Sequence, residues 1–437
     1  MSLPPSIAGV TSSDANPPDL TPAGRNWAGN VAFAAPRLAE PSTLAELADL
    51  VGDATAVRAV GSRHSFTRLA DSDDLMVSVA ALPGELEIDA DRRVASVPAG
   101  WRYAALAREL ESRGWALGAM ASLPHISVAG AIATGTHGSG DAAGSLASAV
   151  VGLDILRADG ELVRVRRDDP DFAGSVVALG MLGVVTRVEL AIEPSYAMTQ
   201  VVDLGLPWAS ALESLDAVMG SADSVSLFTR WDDPTRIDQV WRKSRVVDGG
   251  AVVPEPLDGA VRAANAVHPL DGQSAASCTD QSGSAGPWFE RLPHFRAEFT
   301  PSHGDELQSE YFVPRDRAVD ALQVMREIGP GIAPLLFVSE IRSIRADDLW
   351  LSGSSGHDSI GLHFTWMPDE PAVRAMLPRI ESALAPFGAR PHWGKVFTMD
   401  SVALAERYPR WHDARALRER WDPRGVFRNA LLRQWGF

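Results

Sequence analysis

The sequence predicts an α+β protein of two domains, and three observations carry that expectation. The chain has 437 residues, more than one ordinary core supports. Its first half reads as short strands separated by turn residues. After about residue 196 helical spacing appears between strand-like runs.

The elements follow in order. Residues 56–60 form an apolar, partly β-branched run that Gly61-Ser62 breaks. Residues 86–89 and 94–97 flank a polar turn and read as a hairpin. Over 103–113, Tyr103, Leu106, Ala107 and Leu110 recur at helical spacing, with Gly114 as the stop. Ile126 and Val128 read as strand-like. Residues 150–156 and 161–166 surround Asp159-Gly160, a strong two-residue hairpin signal. A strand over 184–192 ends before Pro194. Helices are expected over 208–219, over 315–328 with Gly329-Pro330 as the stop, and over 370–384, while the Ser-, Ala- and Gly-rich stretch 271–286 reads as a loop. There are no internal repeats and no heptads.

Composition narrows the function. Apolar residues are 46% and charged residues 22%, ordinary for a soluble protein, and no apolar run is long enough to span a bilayer. A formal charge of −16 argues against a nucleic-acid partner. The first 23 residues are rich in Pro, Ser and Asp and lack the basic start and apolar centre of a signal peptide, so a poorly ordered tail on a cytoplasmic protein is expected. One cysteine, Cys278, rules out an internal disulfide framework. Of the 40 basic residues only Lys243 and Lys395 are lysines. Where arginine supplies nearly every generic positive charge, a lysine is informative, because it alone can lose its proton.

Five clusters could carry chemistry. In Val60-Gly61-Ser62-Arg63-His64-Ser65-Phe66 two small residues after a strand let the backbone bend round a ligand, and exposed amides there can cradle an anion; the cluster also reads as a plain turn with an exposed histidine. Ala121-Ser122-Leu123-Pro124-His125-Ile126-Ser127-Val128-Ala129-Gly130, followed by Ala133-Thr134-Gly135-Thr136-His137-Gly138-Ser139-Gly140, combines glycines and hydroxyls suited to a diphosphate, or to a flexible loop. It is no Rossmann fingerprint, and the chain has no Walker sequence, zinc helix or nucleophile elbow; no metal is indicated. Glu340 and Arg342 share one strand face, as do His363 and Thr365, so two such strands would offer a polar floor for a many-hydroxyl substrate, or a solvent-facing ion pair. Pro391-His392-Trp393-Gly394-Lys395 carries one of the two lysines. Trp421-Asp422-Pro423-Arg424-Gly425-Val426-Phe427-Arg428-Asn429 reads as an ordered turn near the C-terminus.

Taken together and in this order, the clusters resemble the vanillyl-alcohol-oxidase type of FAD-linked oxidases, and most closely its bacterial alditol (xylitol) oxidases. The resemblance runs from Asn26-Trp27-Ala28-Gly29-Asn30 to the end of the chain. It implies an FAD-linked oxidase fold with a tail over 1–24, an FAD-binding domain over 25–197, a substrate domain with a helix-covered antiparallel sheet over 198–396, and a return to the FAD-binding domain over 397–437. It implies FAD bonded covalently through His64, with Val60, Gly61, Ser62, Arg63 and Ser65 in the pyrophosphate loop. Ala121, Ser122, Ser127, Val128, Gly130, Thr134, Gly135, Thr136, His137, Gly138, Val184, Val185, His392 and Asn429 are expected beside the cofactor. Ala121 falls where the family has a small residue governing oxygen access. Ser122, Glu340, Arg342, Thr365 and Lys395 match the substrate-binding residues, and Arg342, Lys395 and His363 the catalytic ones. Buried Glu340 and Arg342 should pair. Arg63 departs from the pattern, which has a small residue such as Gly there.

The implied activity oxidises a terminal alcohol of a polyol, with hydride passing to the flavin and oxygen reduced to peroxide. Arg342 and Lys395 would stabilise the developing alkoxide, and Lys395 or His363 would take the proton. A monomer with a small polyol and oxygen as its partners is expected. The rival reading is an aldonolactone oxidase or dehydrogenase of the same fold, which usually has an acidic residue near Leu123-Pro124-His125. A sugar- or flavin-binding protein without turnover is the third reading.

Overall fold

The computed structural model describes residues 23–247, 250, 253–299 and 306–437. The expected tail lies outside the described residues except for Ala23 and Gly24. Ala23 is buried against Ala35, Leu38, Val60 and Met76.

The first region holds a five-stranded antiparallel sheet in the order Glu87–Asp89, Val94–Pro98, Val184–Ala191, Val150–Leu156, Leu162–Arg166. The Asp159-Gly160 hairpin is present, with Gly160 at φ +82°. Helix Tyr103–Ser112 buries Tyr103, Leu106, Ala107 and Leu110, the predicted stripe. Beside it is a small parallel sheet, Arg37–Ala39, Leu75–Val77 and Val57–Ala59. Helix Leu44–Asp53 starts where the Thr43 side chain accepts from the Glu46 amide, and it buries Leu47 and Val51, one turn apart.

The second region is built on a nine-stranded antiparallel sheet. Its main path runs Val261–Arg262, Ala197–Pro207, Arg236–Arg245, Ser224–Thr229, Leu336–Ile344, Ser359–Trp366, Leu307–Pro314, Arg390–Pro391, and Gly286–Pro287 pairs with Ala197–Pro207. One face is apolar: Val225, Leu227, Ile341, Leu362, Phe364 and Trp366 pack with helices Ala318–Ile332 and Glu370–Leu384 in one core. Strand parity therefore sends Glu340, Arg342, His363 and Thr365 to the opposite face. The C-terminal segment joins the first region's core through Trp411, Leu417 and Phe427, and the Val57 amide donates to Val426 O at 2.8 Å.

Three local expectations are corrected. The helix expected to stop at Gly329-Pro330 runs on to Ile332. Proline forfeits one backbone bond, but Met325, Gly329 and Ile332 are buried on both sides of it, and Gly329 packs so tightly that a Cβ would lie 2.8 Å from Trp231 Cβ. The single helix over 208–219 is two, Trp208–Glu213 and Leu215–Met219, broken at Ser214; the break lets Trp208 stack on Trp231 at 5.4 Å while Leu215, Val218 and Met219 face the core. The strand-like Ile126 and Val128 instead lead into a helix, Val128–Ala133, whose buried residues Val128, Ala131 and Ile132 follow the helical period. Two apolar residues were too few to establish a period of two.

Among the described residues no helix is long and apolar enough to cross a membrane, and no group of three or more His, Cys, Asp or Glu side chains is placed to hold a metal.

Candidate active site

A cavity of about 360 Å³ lies where the nine-stranded sheet meets the first region. Its two walls differ in chemistry. The first-region wall is the turn after strand Val57–Ala59. There the Ser62 amide donates to Ser127 Oγ (3.3 Å), and the Ser127 amide to Ser62 Oγ (3.2 Å). Only glycine fits at 61, because a Cβ would sit 2.0 Å from Ser127 Oγ. Arg63 holds φ +62°, the left-handed region, which explains why a small residue suits this position. Its guanidinium donates to Ala23 O at 2.9 Å.

The Asn26-Trp27-Ala28-Gly29-Asn30 segment clamps this turn. Asn26 Nδ2 donates to Ser65 O, Asn30 Nδ2 to Phe66 O and the Trp27 amide to Arg63 O, at 2.9, 3.1 and 2.9 Å. The Trp27 ring stacks on His64 with centroids 4.5 Å apart. Burial pushes His64 down to about 4, so its imidazole is neutral at neutral pH.

The opposite wall is the polar face of the sheet. Cross-strand register places Phe228, Glu340, His363 and Glu310 in one row. In the next row Arg342 stands opposite Gly361. With no side chain at 361, Arg342 reaches past the intervening strand and donates to Glu310 Oε1 at 2.7 Å. A Cβ at Gly361 would lie 3.2 Å from that oxygen. Lys395 Nζ donates to Glu310 Oε2 at 2.6 Å, and His137 Nε2 lies 3.0 Å from Oε1. Glu310, 1% exposed, thus gathers three groups, and the Lys395, His137 and Arg342 charges hold its carboxyl well below the usual range against the opposing effect of burial.

Glu340 and Arg342 form the expected buried ion pair, and each also has a shorter partner. Arg342 Nε lies 3.6 Å from Glu340 Oε2, but the short bond of Arg342 goes to Glu310. Glu340 is bonded more closely by His294 Nε2, at 2.7 Å. His363 Nε2 faces Gln308 Oε1 at 3.1 Å, and burial together with the Lys395 charge holds its pKa well below the ordinary value. The 391–395 turn joins the walls: the His392 amide donates to Glu310 O at 2.9 Å, and the Phe66 amide to Gly394 O at 2.7 Å.

Of the residues singled out in the sequence, Val60, Gly61, Ser62, Arg63, His64, Ser65, Ala121, Ser122, Ser127, Gly130, Thr134, Thr136, His137, Val185, Glu340, Arg342, His363, Thr365, His392 and Lys395 line the cavity. Val128, Gly135, Gly138, Val184 and Asn429 do not. Val128 and Val184 are wholly buried core residues. Gly138 packs on Met120, where a Cβ would meet the carbonyl oxygen at 2.5 Å. Asn429 caps helix Ala430–Gln434 and donates to Arg68, Leu69 and Asp71 carbonyls, tying the C-terminus to the wall from behind.

Sequence reasoning missed Glu310, Gln308, His294 and Arg58. The signal for the first two was present: Gln308 and Glu310 alternate with Leu307, Ser309 and Tyr311, the parity that marked Glu340 and Arg342. His294 lies in a loop with no such mark. Arg58 donates to four carbonyls, those of Leu69, Leu179, Gly180 and Phe427, and its partners are distant in sequence.

The walls fit a flavin dinucleotide. The cavity's carboxylates, Glu306, Glu310 and Glu340, all belong to the second region. The first-region wall offers glycine backbone and the hydroxyls of Ser62, Ser127, Thr134 and Thr136, a donor set for a diphosphate without a competing negative charge. The family described as "FAD binding domain" matches residues 35–166, and that described as "D-arabinono-1,4-lactone oxidase" matches residues 305–435. The alditol oxidase of Streptomyces sp. (strain IKD472 / FERM P-14339) is 46% identical over 95% of this chain and 99% of its own. This chain is a vanillyl-alcohol-oxidase-type FAD-linked oxidase of the alditol oxidase family. Within these oxidases the L-gulono-1,4-lactone dehydrogenase of Mycobacterium tuberculosis (strain ATCC 25618 / H37Rv) is more distant, 29% identical over 95% of this chain and 99% of its own. The fold is shared with cholesterol oxidase from B. sterolicum, with a TM-score of 0.78 at 15% identity over 98% of this chain and 100% of that one.

Proposed function

We propose that the protein oxidises a terminal primary alcohol of a sugar alcohol, such as xylitol or sorbitol, to the aldose, using FAD attached covalently through His64. The observation that carries this reading is one cavity lined both by His64 and by a polar floor of Glu340, His363, Thr365 and Gln308 with Lys395 and Arg342. Such a floor offers both donors and acceptors to several hydroxyls and discriminates against analogues lacking them. The identity to alditol oxidase supports the same substrate class.

Bound FAD would supply the redox chemistry, taking a hydride from the substrate carbon and delivering electrons to oxygen as peroxide. The protein's own groups bind and polarise. Glu340 accepts distal hydroxyls and Ser122, on the facing wall, donates to them, which orients the reacting carbon. Lys395 and Arg342, held by Glu310, set positive charge beside the oxygen whose proton passes to the neutral imidazole of His363. Ala121 keeps a small side chain in the first-region wall, where oxygen must reach the flavin. His64, neutral and stacked by Trp27, has the protonation state a nucleophilic linkage needs. The reading extends to a monomeric, cytoplasmic protein, to which the single buried cysteine is suited.

A second reading, aldonolactone oxidation, is favoured by the lactone-oxidase match over residues 305–435. One experiment separates them. Purified protein is acid-precipitated, its flavin content is read in the pellet, and peroxide is assayed with xylitol, sorbitol, glycerol and a gulonolactone in parallel. Yellow precipitate with peroxide from polyols is expected. Peroxide from the lactone alone overturns the polyol assignment, and flavin released into the supernatant overturns the covalent link. His64→Ala should leave all flavin extractable.

A further inference from the structure

Lys243, the second of the two lysines, lies outside the cavity wall on strand Arg236–Arg245 and is wholly buried. A buried lysine is costly unless its donors are satisfied, and here all three are. Nζ donates to Leu292 O at 2.6 Å, to Pro293 O at 3.2 Å and to His294 Nδ1 at 3.0 Å. An ammonium has three N–H bonds and no lone pair, so His294 Nδ1 must accept. The imidazole proton then resides on Nε2, the atom 2.7 Å from Glu340 Oε1.

The ring has little freedom to turn. Phe228 and Trp241 meet it edge-on, with centroids 5.5 and 5.2 Å away. Burial draws Lys243 down to about 7 while the Glu340 charge pulls upward, and the three acceptors favour the charged form. Burial, with the Lys243 charge, also pushes His294 down to about 4, in keeping with a neutral ring that must choose one tautomer.

We propose that Lys243 is a positioning residue for the polyol site: by occupying Nδ1 of His294 it keeps the ring proton on Nε2, and that proton holds Glu340 as a carboxylate aimed at substrate hydroxyls. This rests on the polyol reading given above. Without the ammonium, His294 can carry its proton on Nδ1 and turn a lone pair on the carboxylate. Glu340 then swings away or takes up a proton, and in either case stops accepting from substrate. The effect falls mainly on binding, because the short bonds that hold Lys395 and Arg342 to Glu310 remain.

The test compares wild type, Lys243→Met and the double variant Lys243→Met/His294→Gln, assayed with xylitol at about pH 6, where the ammonium is charged. Lys243→Met should raise KM about tenfold, the value of one hydrogen bond to a charged group, with kcat within about twofold. Glutamine donates its amide N–H to Glu340 without a tautomer choice, so the double variant should recover most of the lost affinity. A merely structural lysine would not be rescued in this way. Nitrogen-15 spectra of the histidine rings, with His294→Gln to assign the resonance, give a readout free of turnover: the wild-type ring should be the Nε2–H tautomer. Should Lys243→Met not fold, His294→Leu against His294→Gln carries the KM comparison, with only the former impaired. An Nδ1–H ring in the wild type, or a polyol-active Lys243→Met enzyme with unchanged KM, overturns the relay. A wild type that oxidises no polyol overturns the functional reading instead, whatever the ring tautomer.

Discussion

The two walls of the cavity solve opposite problems. The first-region wall is built from backbone and small side chains, and its specificity is steric: Gly61 against Ser127, Trp27 against His64, and hydrogen bonds from Asn26 and Asn30 to neighbouring carbonyls. The sheet wall is built from long charged side chains on separate strands, and its specificity is electrostatic: Glu310 between Arg342 and Lys395, and Glu340 under His294. A steric wall fails by closing. An ionic wall fails by losing one partner and leaving the others buried and unpaired.

The largest effect should come from the ionic wall. Glu310→Gln leaves Lys395 without its counter-charge and Arg342 with Glu340 alone, at 3.6 Å, and should lower kcat/KM by at least about a thousandfold and stability by about 3 kcal/mol, with flavin content retained. Peroxide assays and thermal melts read the two losses, and loss of flavin in place of activity would break the division between the walls. The same carboxylate sets a pH dependence. Burial alone would raise Glu310, but its bonds to Lys395, His137 and Arg342 outweigh that and leave it below its unfolded value, so its contribution to stability is complete above about pH 4.3 and is lost as pH falls from there towards the folded value. Between about pH 5 and pH 3 the wild-type melting temperature should therefore fall more steeply than that of Glu310→Gln.

The next effect tests the steric wall. Gly61→Ala places a methyl group into Ser127 Oγ, so the turn must open; total flavin should fall at least about tenfold while the fold persists at a cost of about 1–3 kcal/mol. Absorbance of the purified protein and a melt check this, and full flavin loading would show that the turn is softer than its contacts imply. A smaller effect is expected from Trp27→Ala. It frees the His64 ring, so the acid-stable share of the flavin should drop while total flavin stays near the wild-type level, and Trp27→Phe should recover most of it. The smallest is Arg63→Gly. Relief of the left-handed backbone, worth about 1 kcal/mol, is offset by the lost bond to Ala23 O, so the melting temperature should move by no more than a few degrees. A large drop would make that arginine a structural tie.

What the sequence determined by itself was whatever depends on neighbours along the chain. Turn glycines, the stripe of helix Tyr103–Ser112, the Asp159-Gly160 hairpin and the parity that sets Glu340 with Arg342 and His363 with Thr365 are local, because backbone conformation and side-chain direction are decided within a few residues. The joint order of the motifs also pointed to the flavin-linked family. The stop expected at Pro330 failed for the complementary reason: a local penalty of about 3 kcal/mol is outweighed by burial on both sides of it. Only the tertiary structure decided which charges meet. Glu310 acquires its partners from register, two strands away from Arg342 across a glycine and one turn away from Lys395, and His294 acquires its role from Lys243, 51 residues earlier. Electrostatic pairing in a buried site depends on distances through space, and those are set by sheet order and by the glycine that leaves the path open, neither of which is written at the residues that use them.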